Sequence, residues 1–218
     1  MNSSMEQGDS PNIVPDHFDT ALQAYESSKL GVGLFLVTEI LMFGGLFVAY
    51  IVFRALNPDM FSEASKHLDK VMGAVNTVVL ICSSFTMAMA VNATRLNRHA
   101  KAQKLLLATL FFAACFMVVK YFEYSHKIHA GTLPAGLFKA SGFTHKNPGL
   151  FFSLYFVMTS LHGFHVLVGM GLIFWVYLKS KARKLSSSYY TPVELVGLFW
   201  HLVDLIWIYL FPLLYLVG

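Results

Sequence analysis

The sequence predicts an all-α, polytopic membrane protein, a bundle of five transmembrane helices. Of its 218 residues, 56% are apolar, 15% are aromatic and only 13% are charged, far from the balance of a water-soluble domain. The apolar residues gather in five runs, each close to the roughly 20 residues that cross a bilayer core at about 1.5 Å per residue. The formal charge of +4 comes mostly from two short basic segments between runs, so it reads as membrane topology. No basic patch carries interleaved aromatics, and no nucleic-acid partner is expected.

Residues 1–27 form a polar, acidic tail containing Pro11 and Pro15, with a short amphipathic turn around Phe18–Tyr25. The tail lacks an apolar stretch, so no signal peptide is expected. Residues 28–218 form the membrane domain, with helices expected at about 30–54, 70–94, 104–125, 149–178 and 192–217. The first helix is interrupted only by Glu39, and Gly44 with Gly45 one turn on implies a close helix neighbour. Arg54 to Lys70 reads as a mixed-charge loop containing Pro58. The second helix is rich in small and hydroxyl residues, among them Gly73, Ser83, Ser84 and Thr86, which favours burial among other helices. Cys82 and Cys115 fall inside apolar runs and are expected as buried small hydrophobes.

Two basic turns, 95–104 and 179–184, are separated by two helices and belong on one side of the membrane. The positive-inside rule makes that side cytoplasmic, with the N-terminus inside and Gly218 outside. The 125–148 loop is also basic, but more sparsely.

Ionisable groups inside a membrane are expensive and mark sites or inter-helix contacts. Glu39 lies roughly 14 Å into the first span at 1.5 Å per residue. It is either a proton carrier, a lipid or subunit contact, or a neutral carboxyl that only packs. On the fifth helix Trp200, Asp204 and Trp207 share a face, with His201 beside Asp204 at i, i+3. His201, or a group on another helix, is the expected partner of Asp204. His162 and His165 stand at i, i+3 on the fourth helix. Together with His201 and Asp204 they suit either a three-His, one-carboxylate metal site or a hydrogen-bonded polar seam. The seam is the reading taken, with no metal and no catalytic residue, since isolated H-x-x-H pairs are weak evidence. Lys120 and Glu123, near the outer end of the third helix, are expected as an intrahelical ion pair whose lysine reaches towards the interface. His126 and His129 are expected in solvent. No phosphate loop, Ser-His-Asp set, CxxC pair or haem-attachment motif is present.

Several of these stretches resemble subunit III of the haem–copper oxidases, the cytochrome c oxidase subunit III family. Trp200-His201-Leu202-Val203-Asp204-Leu205-Ile206-Trp207 is similar to that family's closing WHFVDxxW. Leu161-His162-Gly163-Phe164-His165-Val166-Leu167-Val168-Gly169 is similar to its FHGLHVxxG. Thr38-Glu39-Ile40-Leu41-Met42-Phe43 is similar to its SExMFF, which holds a buried glutamate. Glu123-Tyr124 matches its E-Y element, and Ser125-His126-Lys127 resembles bacterial oxidases of the caa3 type. The four motifs occur in order on separate helices, and the resemblance covers roughly residues 28–218. Larger members have seven helices and this chain matches their last five. The first two form one arm of a V-shaped lipid cleft, so here a partner would have to supply that wall.

The resemblance implies a non-redox subunit in a bacterial cytoplasmic membrane, beside catalytic subunit I and with subunit II in the same proton-pumping complex. Haem and copper would sit in those partners and none in this chain, with bound phospholipid possible. The subunit would stabilise subunit I, protect it during turnover and support proton uptake from the cytoplasm. It implies that Glu39 faces subunit I or an internal lipid, that His162, His165, His201 and Asp204 form the seam, and that Trp200 and Trp207 pack at a lipid or subunit interface. The residues alone also suit a proton-coupled transporter using Glu39 and Asp204, or a stand-alone enzyme with an intramembrane His-bound metal.

Overall fold

The computed structural model describes residues 21–129, 131–132, 148–183, 185–187 and 189–216. These form helices α1 (Ala21–Leu56), α2 (Pro58–Ser65), α3 (Lys70–Arg95), α4 (His99–His129), α5 (Gly149–Lys181) and α6 (Thr191–Phe211), the last continued by a π-helical turn, Pro212–Leu216. Five are long and apolar enough to cross a membrane, so the chain is a multi-pass membrane protein. Residues 1–20, most of the expected tail, and most of the 125–148 loop lie outside the described residues.

The helix ends depart from the sequence expectation in physically simple ways. α1 begins at Ala21 and α4 runs from His99 to His129, so polar flanks extend both helices past their apolar cores. Asp69 caps α3 by accepting from the backbone N–H groups of Val71 at 2.9 Å and Met72 at 3.1 Å. At the end of α4, Gly131 takes φ 73°, while Thr132 N–H donates to the Lys127 carbonyl five residues back at 3.2 Å. That left-handed glycine is what lets the chain fold back onto the last open carbonyls.

The expected 54–70 loop is corrected. Pro58 opens α2, and Met60, Phe61 and Ala64 of this helix are buried. Phe61 stands edge-on to Phe151 of α5 with centroids 5.5 Å apart, and to Tyr50 of α1 at 5.3 Å. Proline at the first helical position costs no hydrogen bond, so a residue that reads as a loop marker here starts a helix.

α3 packs chiefly on α4 and α6, and α5 on α4 and α6. α6 is therefore central, with half of its most apolar window buried. α1 is peripheral, with only 6% of its window buried. The glycines of α1 correct a second expectation: a Cβ added at Gly44 or Gly45 meets nothing in this chain within 4 Å. α3 keeps an open side as well, carrying Val71, Val75, Val78, Ile81 and Phe85. Cys82 is exposed and Cys115 half-buried, so Cys82 faces outward instead of filling the core.

The two basic turns meet. Asn97, at φ 54°, donates from Nδ2 to Ser187 Oγ at 2.9 Å and accepts from Ser187 N–H at 2.7 Å. Beside them Glu194 of α6 accepts from Tyr25 of α1 at 3.0 Å and Arg95 of α3 at 2.8 Å, with Lys29 at 3.5 Å. This cluster ties α1, α3 and α6 together at one end of the bundle.

Candidate functional site

The residues singled out on the central helices do not form one seam. The fold divides them into three groups, with the Lys120–Glu123 pair a fourth at the opposite end from Glu194.

In the first group, Glu39 of α1 lies against α5. Its Oε2 is 2.9 Å from His165 Nε2, close enough for an ion pair but outside hydrogen-bond angles. His165 Nδ1 is 2.7 Å from the Leu161 carbonyl. A carbonyl only accepts, so Nδ1 carries a proton. Nε2 is then the ring nitrogen that faces the Glu39 carboxyl, and the two side chains make a polar contact between α1 and α5.

His162, one turn away, stands apart. It is 1% exposed, and neither ring nitrogen has a hydrogen-bond partner. Its ring lies between Phe116 of α4, edge-on at 5.6 Å, and Trp207 of α6 at 5.3 Å. It behaves as an aromatic packing group, not as part of a polar seam.

The third group joins α3 and α6. His201 Nδ1 pairs with Ser84 Oγ at 2.6 Å, so the expected His201–Asp204 pair is replaced by a bond across helices. Asp204 is 3% exposed and neither carboxyl oxygen has a hydrogen-bond partner. Ser84 also lies near it, but outside bonding geometry. Ser84, His201 and Asp204 line a cavity of about 220 Å³ whose other walls are Leu80, Ile81, Leu205 and Ile208.

The tryptophans correct the expectation of an interface. Trp200 and Trp207 are both 0% exposed. Trp200 Nε1–H donates to Ser83 Oγ at 3.2 Å, and Ser83 donates on to the Thr109 carbonyl of α4 at 3.3 Å. Trp207 Nε1–H donates to Thr77 Oγ1 at 3.1 Å, and Thr77 to the Gly73 carbonyl. The hydroxyls of α3 give each indole an internal acceptor, which lets it leave the membrane interface where its N–H would otherwise be satisfied. Gly169 of α5 makes the room: an added Cβ would stand 2.6 Å from Trp200 Cε3.

The fourth group holds Lys120 and Glu123. Their charges lie 2.8 Å apart, but Lys120 does not reach for the interface. It is 7% exposed, donates to Tyr215 at 2.9 Å, and sits 4.5 Å over the Trp207 ring. Glu123 also accepts from Tyr155 at 2.8 Å and Tyr215 at 2.5 Å. Tyr155 and Tyr215 were missed by sequence reasoning. Tyr215 lies two turns past Trp207 on the same face, which is the one signal that pointed to it. His126 and His129 are exposed.

Among the described residues no cluster of three or more His, Cys, Asp or Glu is placed to hold a metal ion. His162, His165 and His201 lie in three separate groups, so the three-His, one-carboxylate set that their spacing also suited is not brought together. Fold and site define a multi-pass helical membrane protein with ionisable groups buried among its helices.

Comparison with known proteins narrows that class. Residues 16–218 match the family model of cytochrome c oxidase subunit III. The cytochrome c oxidase subunit 3 of Synechocystis is 36% identical over 188 residues, covering 86% of this chain and 74% of that protein. The subunit 3 of Thermostichus vulcanus is 32% identical, covering 86% of both chains. A haem–copper oxidase subunit I+III of Aeropyrum pernix is 28% identical over 84% of this chain but only 22% of its own length. This chain belongs to the cytochrome c oxidase subunit III family of the haem–copper oxidases.

Proposed function

We propose that the chain is the non-redox subunit III of a proton-pumping terminal oxidase in a bacterial cytoplasmic membrane, with its N-terminus cytoplasmic and its C-terminus outside. It docks on catalytic subunit I, with subunit II in the same complex, and stabilises subunit I while supporting proton uptake. Haem and copper belong to those partners. The observation that carries this reading, given the family, is α1. It is long and apolar, with 6% of its window buried in this chain and Gly31, Gly33, Gly44 and Gly45 opening onto nothing here. Small residues on a helix face allow close approach by another helix, and the Glu39–His165 pair lies where α1 meets α5. The Aeropyrum pernix relative, named as a subunit I+III, supports a subunit I partner.

The test is purification in gentle detergent on an N-terminal tag, followed by a reduced-minus-oxidised visible spectrum. Haem absorbance travelling with the chain, and lost when harsher detergent strips a larger partner, is the expected outcome. A colourless chain that purifies alone and monodisperse overturns the reading and favours a transporter or a stand-alone enzyme.

A further inference from the structure

We propose that the cavity between α3 and α6 binds a lipophilic phenol, a ring whose hydroxyl donates to Asp204 while its apolar tail leaves into the hydrocarbon. The cavity measures about 220 Å³, and Ser84, His201 and Asp204 are its polar walls. Leu80, fully buried, closes the back, while Ile81, Leu205 and Ile208 stay 51%, 48% and 44% exposed at the mouth. None of these residues belongs to the Glu39, His162 or Lys120 groups.

The chemistry turns on Asp204. It is 3% exposed, and neither carboxyl oxygen has a hydrogen-bond partner. In either protonation state a carboxyl keeps an acceptor oxygen, and leaving it unmet away from water is unfavourable. The other polar walls do not meet that need. Ser84 Oγ and His201 Nδ1 are paired with each other at 2.6 Å. Ser84 has a single O–H, so even turned towards Asp204 it would serve one of the two oxygens. The carboxyl therefore calls for a donor that this chain does not supply.

Depth and size select the donor. Asp204 stands midway along the span Thr191–Leu216, roughly 18–20 Å from either end at 1.5 Å per residue. Lipid headgroups lie outside the hydrocarbon core, so none reaches this level, and the ligand must itself dissolve in the core. A cationic donor would carry a charge into hydrocarbon, which is expensive. A phenol brings a neutral O–H on an apolar ring, as a tyrosine side chain does. A cavity of about 150 Å³ accommodates benzene, so about 220 Å³ admits a ring with its hydroxyl. Aliphatic walls with a few polar groups to fix orientation are the pattern of a small-molecule site.

The site lies within this chain, so its test holds whether or not haem travels with the chain. The purified protein, with the partners it retains, is placed in phosphatidylcholine nanodiscs with para-octylphenol that carries a photoactivatable diazirine on its tail. After illumination, the labelled residues are mapped by mass spectrometry. Label is expected on the segments holding Ile81, Leu205 and Ile208. Unlabelled para-octylphenol is expected to compete about tenfold better than its methyl ether, which has no O–H to donate. Asp204→Leu is expected to lower the labelling about tenfold, and Asp204→Asn, which keeps an acceptor oxygen, to lower it much less. Should Asp204→Leu fail to accumulate, Ile208→Trp decides. It obstructs the mouth from a half-exposed position and is expected to lower labelling at Ile81 and Leu205 at least about fivefold. Equal competition by the phenol and its ether, or full labelling in Asp204→Leu or Ile208→Trp, overturns the proposal and leaves only an apolar groove. Labelling that appears only once harsher detergent strips the partners overturns it too, in favour of a side chain from a partner's helix.

Discussion

At the scale of single residues, the buried ionisable groups differ by how completely their partners satisfy them. Lys120 and Glu123 are fully engaged, so removing one partner strands the other. Lys120→Met is expected to destabilise the chain by about 3–5 kcal/mol, because it leaves an uncompensated buried charge. The double variant Lys120→Met/Glu123→Gln should recover most of that loss, and thermal unfolding in detergent of the single and double variants checks both. Glu39 and His165 are a different case, since they meet across two helices with Oε2 and Nε2 2.9 Å apart. In Glu39→Gln the amide can donate to Nε2, so the contact survives while the carboxyl is lost. The chain should reach the membrane at wild-type level, and the oxidase should inactivate several-fold sooner during turnover. Unchanged turnover lifetime and unchanged proton-uptake rate would show that the carboxyl only packs.

At the scale of elements, α5 and α6 are fitted by one close approach. At Gly169 an added Cβ meets Trp200 Cε3 at 2.6 Å, whereas at Gly171, two residues on, it meets nothing within 4 Å. Gly169→Val is expected to cost at least about 1–3 kcal/mol through overpacking, and Gly171→Val to be near neutral in the same thermal assay. The pattern of α6 made Trp200, Asp204 and Trp207 legible as one face, and the cost of a carboxylate in lipid turned Asp204 inward. It did not reveal that the two indoles are buried with it, because that depends on α3 presenting Thr77 and Ser83 as acceptors at the matching heights. Likewise Pro58 and mixed charge hid α2, whose buried Phe61 finds its partners on α1 and α5.

At the scale of the whole molecule, the long helices differ in how far their neighbours in this chain cover them. α6 is embedded and α1 is barely buried, so α1 is the helix whose surface a partner can change without disturbing this fold. Gly44→Leu is therefore expected to leave the chain's own stability unaltered while lowering the haem recovered with it, read as absorbance per tagged chain. A loss of stability in the isolated chain would place the glycine's neighbour inside this protein instead.

Five membrane helices and the family were legible in the chain alone, because apolar runs of bilayer length and local motifs are properties of consecutive residues. The sequence also placed Lys120 beside Glu123, since a three-residue spacing on a helix sets that contact. Which polar groups meet across helices came from the packing: Glu39 with His165, Ser84 with His201, and Tyr155 and Tyr215 with Glu123. Those pairings depend on how far each helix is rotated and shifted against its neighbours, which is set by the summed packing of all the helices and is written in no single one of them.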